Sequence, residues 1–180
     1  MPDAGMPDTS PSPEQVRLRL RSRSDTQKLG TALGRVLRPG DLVVLEGSLG
    51  AGKTFLAQAI ARALGVPKSQ PVTSPTFEIL HEFAGQLPLL HADLYRLDPS
   101  EPLDELGITT RLGGDAVLLV EWGERFQQQL GAAGLWVYLE LAADGNRGAR
   151  NCRLEARGTR GEALLARLFP LLSETLPRSL

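Results

Sequence analysis

A chain of 180 residues, 42% of them hydrophobic, is long enough to bury one good core, and its length favours a single domain. A formal net charge of -1 and an isoelectric point near 6.1 exclude a surface built throughout to hold a polyanion, while leaving room for a local basic patch. The single cysteine, Cys152, excludes an intrachain disulfide, no basic-then-apolar leader pattern is visible, and the longest aliphatic run, Ala116 to Val120, falls far short of the ~20 residues that cross a bilayer. A soluble, cytoplasmic protein is expected.

Residues 1–13 are rich in proline and poor in large apolar side chains, which predicts a disordered tail ahead of one domain over 14–180. Val16, Leu18 and Leu20 then alternate with Arg17, Arg19 and Arg21, the pattern of a half-buried edge strand with a charged outer face. Ser24 and Gln27 suggest a capping box opening a helix that carries Leu29, Leu33 and Leu37 and stops at Pro39-Gly40-Asp41. Leu42 to Glu46 reads as a short apolar strand and Phe55 to Leu64 as a helix ended by Gly65 and Pro67. Further strands are expected within Val72 to Phe83 around a break at Pro75, and over Leu87 to Asp93. Asp98 to Leu106 reads as a short helix and Ala116 to Trp122 as a strand buried on both faces. Trp136 to Leu141 and Cys152 to Ala156 flank an Asp144-Gly145-Asn146 turn as a hairpin, and Glu162 to Leu172 is a terminal amphipathic helix. Interleaved strands and helices predict an α/β fold with a largely parallel central sheet flanked by helices, and the run Gly47 to Thr54, placed between the second strand and the second helix, makes it a P-loop NTPase.

The strongest motif lies between the second strand and the second helix. Gly47-Ser48-Leu49-Gly50-Ala51-Gly52-Lys53-Thr54 matches the spacing of a phosphate-binding loop. Its glycines let backbone N–H groups turn toward phosphate oxygens, and the helix that follows offers its unsatisfied N-terminal donors to the same anion. The nucleotide-binding set is therefore Leu49, Gly50, Ala51, Gly52, Lys53, Thr54 and Phe55, with Lys53 supplying positive charge and Thr54 a hydroxyl for Mg2+. The metal needs an acid from across the site, at the end of an apolar strand. Glu121 and Asp93 both stand in such a place; Glu121 is assigned the metal, and Asp93 shares it or orients the attacking water. His91 reads as a core histidine rather than a catalytic one.

With these residues in view, the chain resembles the TsaE (YjeE) family of small bacterial ATPases that serve tRNA threonylcarbamoyladenosine synthesis. The resemblance runs from about Ser24 to about Arg150 and is carried by Ser24-Asp25-Thr26, by Leu45 to Thr54, by Ser74-Pro75-Thr76-Phe77, by His91 to Leu97 and by Val120-Glu121-Trp122. Ser48 replaces an aspartate typical of the family, outside the phosphate cradle. The resemblance implies that Thr26 and the Gly145-Asn146-Arg147 turn, Arg147 included, lie near the nucleotide base. It also implies that Thr76 lies near the terminal phosphate, so that either Asp93 or Thr76 positions water beside the catalytic Lys53 and Glu121.

The function so implied is ATP binding and hydrolysis with Mg2+, driving a cycle in which TsaB and TsaD are the protein partners and tRNA is engaged indirectly. The arginines that follow Trp122 are scattered through the hairpin and the last helix, so no intrinsic arginine finger is evident and slow turnover by the protein alone is expected. Two rivals remain at this stage: a small-molecule P-loop kinase, which the lack of an arginine-rich lid segment weakens, and a nucleotide-gated interaction module in which hydrolysis is incidental.

Overall fold

Four consecutive apolar residues and a closing glutamate, Leu42–Glu46, form strand β2, and every one of them is buried, because neighbours cover both faces of the sheet. The computed structural model describes residues 14–74, 78–131, 133–144 and 146–176. The strands β1 (Gln15–Leu20), β2, β3 (Leu80–Phe83), β4 (Leu89–Asp93), β5 (Val117–Glu121), β6 (Gly134–Leu141) and β7 (Arg150–Arg157) form one sheet in the order β1-β7-β6-β2-β5-β4-β3. Its centre is parallel: β6 with β2, β2 with β5, and β5 with β4. The margins are antiparallel, where β7 joins β6 to β1 and β3 closes the other edge.

Helices α1 (Arg23–Val36), α2 (Lys53–Ala63) and α4 (Gly158–Thr175) cover one face of the sheet over a core that includes Leu20, Leu29, Leu56, Ile60, Val137 and Leu165. The turns between β4 and β5, with the four-residue helix α3 (Gln127–Leu130), cover the other around Val44, Leu94, Leu103, Ile108 and Trp136. Helices α1 and α2 touch closely because two glycines line their contact. A Cβ on Gly30 would stand 2.4 Å from the Cβ of Ala59, and one on Gly34 2.4 Å from that of Ala63. The close approach sets the second half of α2 tightly against α1.

The alternating pattern at Val16, Leu18 and Leu20 forms an edge strand as expected, with all three apolar side chains buried against the helices. Three local expectations are corrected. The cap of α1 is Ser22, whose hydroxyl accepts from Asp25 N, rather than Ser24. Its partner Asp25 accepts from Arg21 N, so the reciprocal pair sits two residues earlier than the Ser24 and Gln27 spacing suggested. No helix forms over 98–106. Pro99 and Pro102 each remove a backbone donor and restrict the residue before them, so the segment closes as separate turns such as Glu101 N to Asp98 O. Leu103 and Ile108 are nevertheless fully buried, which is what the apolar pattern in that stretch was recording. Finally, of the strands expected within Val72 to Phe83 the described residues form only β3, and Pro75, Thr76 and Phe77 lie outside the described residues.

Candidate functional site

The C-terminal ends of β2, β5 and β4 lie side by side, and each delivers its functional residue there because an apolar run ends on a polar side chain. Leu45 is in register with Glu121, and Glu121 with Asp93. Between β2 and α2 the chain turns through Gly47, with φ at 146°, where a Cβ would meet the Leu139 carbonyl oxygen at 2.3 Å. Only glycine fits that corner. A cleft of about 460 Å³ opens above, lined by Leu49, Gly50, Gly52, Lys53, Thr54, Phe55, Asp93 and Glu121 among others. Eight of the residues assigned to the site from sequence thus share one cleft, while Ala51 is buried beneath it.

Thr54, in the first turn of α2, places its hydroxyl 3.2 and 3.1 Å from the two carboxylate oxygens of Glu121. Glu121 is 2% exposed, and its Oε1 also receives a hydrogen bond from His91 Nε2 at 3.0 Å. A carboxylate oxygen only accepts, so Nε2 is the donor of this pair. The His91 Nδ1 is buried and has no partner among the described residues. His91, read from sequence as core packing, is indeed fully buried, yet its polar edge holds the carboxylate at the site. The Asp93 carboxylate accepts from Tyr95 N at 2.9 Å and from the Ser74 hydroxyl, so it pins the turn after β4 to the segment that leads toward Thr76.

Lys53 is 5% exposed. Its ammonium donates to the carbonyls of Gly47 at 2.7 Å and Ser48 at 3.1 Å and lies 3.7 Å from the centre of the Trp122 ring. Burial lowers its pKa from the usual lysine value, against the opposing pull of Glu121, Glu46 and Asp93. Trp122, which also packs on Tyr95 with ring centres 4.8 Å apart, has φ at 62°, a left-handed backbone seen at no other non-glycine position among the described residues. Such a conformation costs on the order of 1–3 kcal/mol and persists only where surroundings enforce it. Trp122 N donates to Leu45 O, and two residues on Glu124 N donates to the Glu46 carboxylate. Glu46, 5% exposed at the end of β2, has its pKa raised to about 7, chiefly by burial.

On the other flank, residues far apart in sequence gather around the start of α2. Asn146 Nδ2 donates to Arg21 O at 3.3 Å, which draws the β6–β7 hairpin to the start of α1. The Arg23 guanidinium lies 4.4 Å above the Phe55 ring, and Thr26 is buried one turn into α1. Arg147 is exposed on the hairpin, and Gly145 lies outside the described residues. Arg150, at the start of β7, reaches back to the phosphate loop and donates from Nε to the Ala51 carbonyl at 2.6 Å. No motif in the sequence marked Arg150 or the Arg23–Phe55 contact, because each depends on a strand pairing or helix packing that only the fold supplies.

The arrangement offers an anion-sized turn with N–H donors and an ammonium, beside a hydroxyl and a carboxylate. That all-oxygen pair suits a hard cation that keeps most of its ligands from water and phosphate, as Mg2+ does. Among the described residues no group of three or more His, Cys, Asp or Glu side chains could hold a metal by itself.

The family model described as Threonylcarbamoyl adenosine biosynthesis protein TsaE matches residues 20–151. The chain belongs to the TsaE family. A TsaE named as a tRNA threonylcarbamoyladenosine biosynthesis protein from Treponema pallidum is 41% identical over 127 residues, spanning 71% of this chain and 93% of that protein. Its counterpart from Bacillus subtilis is 34% identical over 156 residues, 86% of this chain and 94% of the relative. The crystal structure of YdiB from Bacillus subtilis superposes with a TM-score of 0.72 at 32% identity, covering 87% of this chain and 95% of that one. The TsaE match extends through both strands that carry Asp93 and Glu121 and through Arg150, and stops before α4. No helix among the described residues is long and apolar enough to cross a membrane.

Proposed function

We propose that this TsaE-family chain binds ATP with Mg2+ on the Gly47–Thr54 loop and hydrolyses it, as the energy-supplying component of tRNA threonylcarbamoyladenosine synthesis in the cytoplasm. The observation that carries this reading is the meeting of Thr54 with both oxygens of Glu121 beside the buried Lys53. The names of the relatives supply the pathway.

In this reading the N–H groups of the loop and the first turn of α2 hold the phosphates, and Lys53 leaves the carbonyls of Gly47 and Ser48 to meet the outer ones. Thr54 would hold Mg2+ directly, and Glu121, with Asp93 at the next strand end, would hold it directly or through water; the ion would supply positive charge against the phosphates. His91 keeps the Glu121 carboxylate aimed at Thr54. Asp93 or Thr76 orients the attacking water. Phe55 and Arg23, with Thr26 and the hairpin at Arg147, form the side on which the base rests. TsaB and TsaD are the proposed partners, with the exposed side chains of Leu49 and Tyr95 at the rim of the cleft available to them.

The test is tRNA modification reconstituted with TsaB and TsaD over many turnovers, with wild-type protein or Glu121→Ala. Hydrolysis in the proposed role requires the variant to bind nucleotide yet support no more than a single round. Sustained modification by a variant that has lost hydrolysis would instead favour a nucleotide-gated interaction module.

A further inference from the structure

We propose that Arg150 is a phosphate-contacting residue of the nucleotide site, carrying a second positive charge to the loop from the β6–β7 hairpin. The inference rests on the nucleotide reading above and deepens it.

The Arg150 guanidinium bridges two segments that the sequence keeps about a hundred residues apart. On the loop it donates to Ala51 O at 2.6 Å and, from Nη2, marginally to Gly50 O at 3.5 Å. On the hairpin both Nη1 donors are used, toward Arg147 O at 2.9 Å and Ala149 O at 2.8 Å. A guanidinium has five N–H donors, so at least one on Nη2 remains for another acceptor. All four partners are neutral carbonyls, and none of the ion pairs among the described residues includes Arg150. Its neighbours on the same sheet margin are different: Arg19 pairs with Asp144, and Arg153 and Arg157 both pair with Glu155.

A half-buried cation balanced only by carbonyl dipoles is under-compensated, and its position adds to the imbalance. A Cβ on Gly52, the residue that opens α2, would lie 3.9 Å from Arg150 Nε. Arg150 therefore stands against the positive end of that helix with Lys53 in its first turn, where a further cation is unfavourable unless an anion joins it. The phosphates of a nucleotide on the loop would be that anion. β7 lies on the β6 side of β2 and Glu121 on its β5 side, so Arg150 would approach a polyphosphate on the loop from the flank opposite Glu121. The same contacts tie phosphate occupancy to the Asn146–Arg147 segment, so a bound polyphosphate would also hold the hairpin against the nucleoside.

The test compares Arg150→Gln, which keeps a neutral donor for the loop carbonyls, with Arg150→Lys, which keeps the charge and loses the fork. Displacement of a fluorescent ATP analogue by ATP, ADP and adenosine is measured with Mg2+, and melting temperature is recorded without nucleotide. Loss of one charge-assisted contact predicts that Arg150→Gln binds ATP and ADP about tenfold or more weakly, while adenosine stays within about twofold of wild type. Arg150→Lys should fall between, and the nucleotide-free melting temperature of Arg150→Gln should not drop. Wild-type affinity for ATP in Arg150→Gln overturns the proposal alone. So does an equal loss for adenosine with a lowered melting temperature, which marks a structural strut. Failure of the wild-type protein to bind either ATP or ADP overturns the nucleotide reading as well.

Discussion

Replacing Glu46 by Gln should stabilise the nucleotide-free protein, and by an amount that grows with pH. Glu46 is 5% exposed at the end of β2, and its pKa is raised from 4.5 to about 7, mainly because burial penalises the charged form. The folded state therefore binds this proton more tightly than the unfolded chain does. Below the unfolded pKa the group carries no penalty; as pH climbs from 4.5 through about 7 the folded protein loses stability, and above that the loss is complete. At 1.36 kcal/mol per unit, the full penalty is about 3 kcal/mol. Glutamine has nearly the same shape and keeps an oxygen to accept from Glu124 N, so it removes the ionisation and leaves the hydrogen bond. Urea unfolding of the two proteins should give curves that nearly coincide at about pH 4.5 and diverge to an advantage of roughly 1–3 kcal/mol for Glu46→Gln at about pH 8. A difference that does not change with pH, or a variant less stable than wild type at the alkaline end, would refute the assignment of burial as the dominant cause.

Other expectations follow from the same geometry. His91→Leu leaves the buried Glu121 carboxylate without its imidazole donor, a loss of roughly 1–3 kcal/mol in urea unfolding at neutral pH, whereas His91→Gln, which can still donate, should recover part of it. Gly30→Leu forces a side chain into Ala59 at the α1–α2 contact and should destabilise by about 1–3 kcal/mol or more, read as a lowered melting temperature. Phosphate release from ATP should be slow for the protein alone and faster with TsaB and TsaD; equal turnover with and without them would remove the basis for partner stimulation.

The parts of the molecule legible in the sequence are those whose signal is contiguous. The phosphate loop needs eight adjacent residues, and β5 needs one apolar run ending on Glu121, so both stand where the pattern put them. The helix expected over 98–106 failed because acidic caps and buried leucines serve turns as well as helices, and the two prolines decide between them. His91, Glu46 and Arg150 were invisible as site residues for another reason. Each acts through a partner on a different strand or loop, at a register that the local pattern does not encode. The φ of 62° at Trp122 is likewise set by Leu45 and the Glu46–Glu124 contact rather than by any preference of tryptophan.

The most direct measurement is phosphate release from ATP by the purified protein and by Glu121→Gln, each with Mg2+ and with the metal chelated, alongside nucleotide binding. The account predicts slow hydrolysis by wild type that vanishes on chelation, and a Glu121→Gln protein that still binds ATP and releases no phosphate above background. Undiminished release by Glu121→Gln, or by wild type without Mg2+, would contradict it.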